Sequence, residues 1–137
     1  MKCDEANRPA IGESSTALGV RIPKDIAPGE SGIVHPNTGG MPESPNLESL
    51  PPHMIPERLR YSGFKRASGR NSGFVWRMGE GDFEANAISV SLHFRPDPDK
   101  PSQHGLVEPS EAMTLERYRE ALRRTQTHWI VDEPEEI

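Results

Sequence analysis

The residue types able to do chemistry in this chain fall into three short stretches. The first is His104-Gly-Leu-Val-Glu108. With side chains alternating along a strand, His104, Leu106 and Glu108 share one face, and four residues' spacing sets the two ionisable groups about 13 Å apart. A histidine next to a glycine has room to face a ligand. It can donate to a ribose hydroxyl or a substrate carbonyl without changing charge, while Glu108 can pair with a developing cation. The pair also reads as two structural polar groups. The second stretch is Asn37-Thr-Gly-Gly-Met41. Consecutive glycines reach backbone angles closed to other residues, so successive N–H groups can converge on an anion, and an ordinary tight turn is the alternative. The third runs from Arg58 to Arg77 and holds Arg58, Arg60, Lys65, Arg66, Arg70 and Arg77 with no acid among them. Such a run is either a solvated basic loop or a phosphate-binding face.

The rest of the chemical inventory is sparse. The histidines at 35, 53, 93, 104 and 128 are not spaced as metal ligands, and the single Cys3 offers neither a disulfide nor a thiolate metal site, so no metal is expected. His93 falls on the polar face of its expected strand and reads as solvent-facing. Walker, Rossmann and Gly-x-Ser-x-Gly signatures are missing.

The elements that must position these groups follow from periodicity. Ala17 to Ile22 and Gly32 to His35 read as short strands, each closed by a proline. Four prolines between Glu43 and Pro56 forbid a long regular element, so this segment is expected to be an ordered loop, followed by a mobile surface excursion from Tyr61 to Gly73. Phe74 to Met78 reads as a strand. Ala87 to Arg95 alternates, with Ile88, Val90, Leu92 and Phe94 on one face, and reads as a single longer strand. After the His104 strand, Thr114 is placed as the N-cap of a helix. Its apolar stripe is Leu115, Tyr118, Leu122, Thr125 and Trp129, with Arg117, Glu120 and Arg124 facing water. The expected architecture is α+β: a small, twisted, mostly antiparallel sheet with the C-terminal helix packed across one face. Residues 1–16 are expected to form a loosely attached arm, 17–131 a single domain, and 132–137 an acidic frayed tail.

Composition bounds the function. An apolar fraction of 33% with 14 Pro and 12 Gly implies much irregular structure around a modest core. A net charge of −5 argues against a general nucleic-acid binder. No apolar run approaches bilayer length and nothing resembles a signal peptide, so a membrane role is not expected and the cytoplasm is the expected compartment.

Read together, Gly32-Ile-Val-His-Pro-Asn-Thr-Gly-Gly-Met41, Pro45 to Leu47, Leu50 to His53, Phe94-Arg-Pro-Asp-Pro-Asp99, His104 to Pro109 and the Met113 to Trp129 pattern resemble a family of small bacterial and fungal proteins. That family is grouped with ADP-ribosyltransferase-like toxins, typified by a type VI secretion effector that acts in the cytoplasm and is neutralised by an immunity protein. The resemblance spans roughly residues 20 to 131 and is weak between Arg58 and Gly73. It implies an ADP-ribosyltransferase-like fold with NAD held in a cleft. It also implies a role in toxicity for His104 and for polar residues just after the glycine pair. Here Met41 and Pro42 follow the glycines, with Thr38 and Ser44 as the nearest hydroxyls.

Two functions are therefore expected. In the first, the chain is an NAD-binding toxin domain. Thr38, Gly39 and Gly40 would cradle the pyrophosphate, Arg95 would add charge, His104 would position the ribose or nicotinamide, and Glu108 would support oxocarbenium-like charge. In the second, the same scaffold is a catalytically silent interaction module that binds an acidic partner protein through the Arg58 to Arg77 stretch.

Overall fold

The computed structural model of the chain describes residues 1–4, 8–13, 17–44, 49–78, 86–100 and 104–133. The Pro45 to Leu47 stretch and the tail from Pro134 lie outside the described residues. The protein is α+β, with several small antiparallel sheets and one C-terminal helix. Its elements in order are β1 (Ile33–Val34), β2 (Met41–Glu43), β3 (Trp76–Met78), β4 (Asn86–Ala87), β5 (Leu92–Pro96), β6 (Gly105–Pro109), β7 (Met113–Thr114), α1 (Leu115–Arg124) and β8 (Trp129–Val131). A four-stranded sheet has the order β2-β6-β5-β4, and β1 with β7 and β3 with β8 make two further pairs.

The main sheet divides its two faces by alternation. Register pairs Phe94 with Val107 and Met41 with Val107, so Met41, Leu92, Phe94 and Val107 point to one side. There they join Tyr118, Ala121 and Leu122 of α1 in the main core. Tyr118 is fully enclosed and ties helix to sheet: its hydroxyl donates to Val107 O and accepts from Met41 N. The other side carries Pro42, His93, Arg95, Leu106 and Glu108.

Helix α1 starts where capping chemistry places it. The Thr114 hydroxyl accepts from Arg117 N at 3.1 Å, satisfying one of the orphan N–H groups of the first turn. Its end comes earlier than the apolar stripe implies. After Arg124 the backbone tightens to a 3-10 turn over Thr125–His128, and Trp129 belongs to β8. Thr125 explains the change: its hydroxyl donates back to Leu122 O and accepts from the Trp129 indole, which holds Trp129 in the core without a fourth helical turn.

Two expected strands differ. The alternation from Ala87 to Arg95 covers a turn between β4 and β5 rather than one strand. Ile88 N and Ser89 N both donate to Leu92 O, Ser91 N donates to the Ser89 hydroxyl, and Val90 is 91% exposed. The two serines offer local hydrogen bonds that compete with the ladder. From Ala17 to Ile22 only Leu18 makes a bridge, to Ile11, although Leu18 and Val20 are buried.

Two segments expected to be loose are tied down. In the arm, Met1 O accepts from Phe74 N and from the Trp76 indole, Pro9 is fully buried, and Gln126 donates to Asp4 and to Pro9 O. The segment expected to be a mobile excursion folds with the proline-rich loop before it around a second apolar cluster of Ile55, Leu59, Ala67 and Val75. A 3-10 helix, Glu57–Ser62, leads from the loop into this segment. Among the described residues, no helix is long and apolar enough to cross a membrane.

Candidate functional site

The polar face of the main sheet holds the best-built cluster of ionisable groups. The centre is Glu108, whose side chain is 3% exposed. Its Oε2 accepts from Arg95 Nε at 2.7 Å and from Asn37 N at 2.8 Å, and its Oε1 lies 3.5 Å from His93 Nδ1. Two of these groups come from the neighbouring strand: register sets His93 opposite Glu108 and Arg95 one step further along β5. The Asn37 amide comes from the loop between β1 and β2. A carboxylate held by a guanidinium and a backbone amide is fixed in direction.

The glycine pair shapes that loop. Asn37 takes φ 64° and Gly39 φ 137°, and the Asn37 amide faces Glu108. Gly40 runs directly against β6: a Cβ built there would lie 2.4 Å from Val107 O. Two of the donors expected to cradle an anion are engaged within the chain. Gly40 N donates to Asp25 O at 2.9 Å, and the Thr38 hydroxyl donates to His35 O at 2.6 Å. The loop also holds a glutamate, through the Asn37 amide.

His104 stands apart, one residue before β6 and at the opposite end of that strand from Glu108. Its Nδ1 is 2.9 Å from Asp97 Oδ2, and its backbone O accepts from Asp97 N. Asp97 also accepts the Asp99 amide; that bond and the one to His104 hold the Asp97 carboxyl below its usual range. An Asp-His pair of this kind fixes the ring's orientation and its tautomer. Between the two ends, Leu106 and Pro42 form a half-buried apolar floor.

The fold thus joins Glu108 with Arg95, brings Thr38, Gly39 and Gly40 beside them as a support, and leaves His104 at a distance. Sequence reading passed over His93, Asn37 and Asp97. The signal for His93 lay in strand pairing: once β5 and β6 are read as partners across the 97–104 connection, it falls opposite Glu108. For Asn37 there was none, since the contact comes from its backbone.

None of the six expected site residues lines the groove of about 440 Å³ at the start of α1, which runs past Thr114, Arg119 and Arg123. The Glu108 network lies on the sheet face, away from that groove. Among the described residues, no group of three or more His, Cys, Asp or Glu side chains is placed to hold a metal ion. Comparison with family models, with curated proteins and with solved structures gives no match to this chain.

Proposed function

We propose that the chain is an ADP-ribosyltransferase-like domain that binds NAD on the polar face of its main sheet and acts as a toxin in the cytoplasm of a target cell. The observation that carries this reading is Glu108. A buried carboxylate and guanidinium lose so much hydration that well-packed apolar residues in their place are often as stable or more so. The pair is therefore poorly explained by folding alone. A dry, pre-oriented carboxylate is what a cationic, oxocarbenium-like centre requires, since its stabilisation then needs no rearrangement when charge develops. Arg95, with only its Nε–H engaged by protein among the described residues, supplies donors for a ligand's phosphates. His104 offers a ring donor to a ribose or amide from the other end of β6. In this reading the glycine loop is a positioning device for Glu108 rather than a phosphate cradle.

The engaged donors of Thr38 and Gly40 favour a second reading, a catalytically silent module on the same scaffold. Titration calorimetry with NAD, followed by an assay for released nicotinamide, separates the two. The toxin reading expects saturable heat, nicotinamide release, and growth arrest on induced expression that Glu108→Gln and His104→Ala each relieve. No heat and no thermal shift at millimolar NAD rejects it. Harmless expression without nicotinamide release, with or without heat from NAD, leaves the silent interaction module that binds a protein partner. A co-expressed immunity protein that restores growth would identify the partner that the toxin reading expects.

A further inference from the structure

The six basic residues between Arg58 and Arg77 are sorted by the fold into two sets. The first set, Arg58, Arg60 and Arg77, is paired with acids of the chain itself. Arg58 forks onto Glu133 at 2.6 and 2.7 Å, Arg77 lies 3.6 Å from Asp132, and Arg60 donates to Ala67 O and pairs with Glu57. Lys65, Arg66 and Arg70 form the outward set. All three are exposed, and among the described residues none has a carboxylate partner. In the same segment Tyr61 is 95% exposed, a large ring left in water where Leu59, Ala67 and Ile55 are buried.

This surface is pre-formed. Arg60 Nε holds Ala67 O at 2.6 Å, Pro56 bridges to Gly69, and Glu57 N donates to Gly69 O, so the turn bearing Lys65 and Arg66 is bound to the 3-10 helix bearing Tyr61. A pre-organised surface has less ordering entropy to lose on binding, and exposed tyrosines with arginines are the residue types that dominate binding energy at protein interfaces.

We propose that Tyr61, Lys65, Arg66 and Arg70 form a docking surface for an acidic segment of a partner protein. Charge selects the occupant. The chain as a whole is at −5, so its long-range field repels a uniformly charged polyanion such as a nucleic acid. A polypeptide can instead place a few carboxylates locally and lay an apolar side chain on the Tyr61 ring. Glu133 on Arg58 is the same chemistry carried out within the chain on the inward side of this segment. The proposal is independent of NAD, since none of the four residues lies on β5 or β6.

The test is fluorescence anisotropy of the full chain with a labelled peptide carrying a short cluster of glutamates beside one leucine in an otherwise neutral sequence, alongside a labelled single-stranded oligonucleotide of equal length. The peptide is expected to bind saturably and to weaken as salt rises. Lys65→Glu, Arg66→Glu and Arg70→Glu combined should weaken it by at least about tenfold, and Tyr61→Ala by several-fold. Arg124→Glu, an exposed change on α1, should leave binding unaltered. All four side chains are exposed, so melting curves should match the parent chain and exclude unfolding as the cause. Absence of saturable binding, equal loss in Arg124→Glu, or tighter capture of the oligonucleotide than of the peptide overturns the proposal.

Discussion

Glu43 closes β2 with its carboxyl oxygen Oε1 enclosed and unmatched by any donor. Three carboxylates raise the proton affinity of the Tyr118 phenol, after the larger effect of burial: Asp25, Glu108 and Glu43. Asp25 has Arg21 and Glu108 has Arg95, but among the described residues Glu43 has no cation. Loss of hydration pushes its pKa from the ordinary 4.5 up to about 7. Between those values the folded chain keeps a proton that the unfolded chain has released. The stability this group contributes is therefore fully present below the usual carboxylate range and lost as pH rises through about 7. Denaturation midpoints are expected to fall as pH rises across that window, and Glu43→Gln should flatten the fall. A slope unchanged in that variant would place the titration elsewhere. At this scale the sequence exposed side-chain types and their spacing along one strand, enough to single out Glu108 and His104. It was silent on partners delivered across strands or by backbone, which is how His93 and Asn37 reach Glu108.

At the scale of elements, the junction of β2, β6 and α1 tolerates little added volume. A Cβ at Gly40 would meet Val107 O at 2.4 Å and Val107 C at 2.9 Å, both backbone atoms of a central strand that cannot swing aside. Gly40→Ala is expected to cost about 1 to 3 kcal/mol, as overpacking of tight sites does. Gly29→Ala, whose nearest atom is 3.7 Å away, should be close to neutral in the same urea titration. Equal effects would show that glycine content rather than contact governs the loop. The start of α1 was legible because Thr114 precedes an apolar stripe and capping is local chemistry. Its end was not, because Trp129 keeps its place in the core whether the chain arrives as helix or strand. The β4 to β5 turn was hidden by the same ambiguity: alternating Ile88, Val90 and Leu92 fit a strand, but Val90 found no sheet to lie on.

For the whole molecule, the joint between the basic segment and the C-terminal acids matters most. Glu133 binds Arg58 through both oxygens and also accepts Val75 N, so one side chain links the second apolar cluster to the end of the described chain. Glu133→Ala leaves a partly buried guanidinium and an amide without their acceptor and is expected to cost about 1.5 to 3 kcal/mol. Asp132→Ala, at an exposed pair 3.6 Å from Arg77, should change little. Thermal melting of the two variants checks the ranking. Each charged stretch could be read alone as a solvated surface, and only the fold reveals that they face one another. Net charge and loop content were visible from composition, whereas the division into two apolar clusters depended on contacts between distant residues.

The pairing of β3 with β8, with Trp76 opposite Val131, also sets an order of events during synthesis. Residues 76 to 78 leave the ribosome more than fifty positions before the strand that covers them, and Val75 waits equally long for Glu133 and Asp132. Until β8 has been made, β3 presents bare N–H and C=O groups to any neighbouring nascent chain. Premature termination before Trp129 should therefore yield an adhesive fragment rather than a slightly shortened protein.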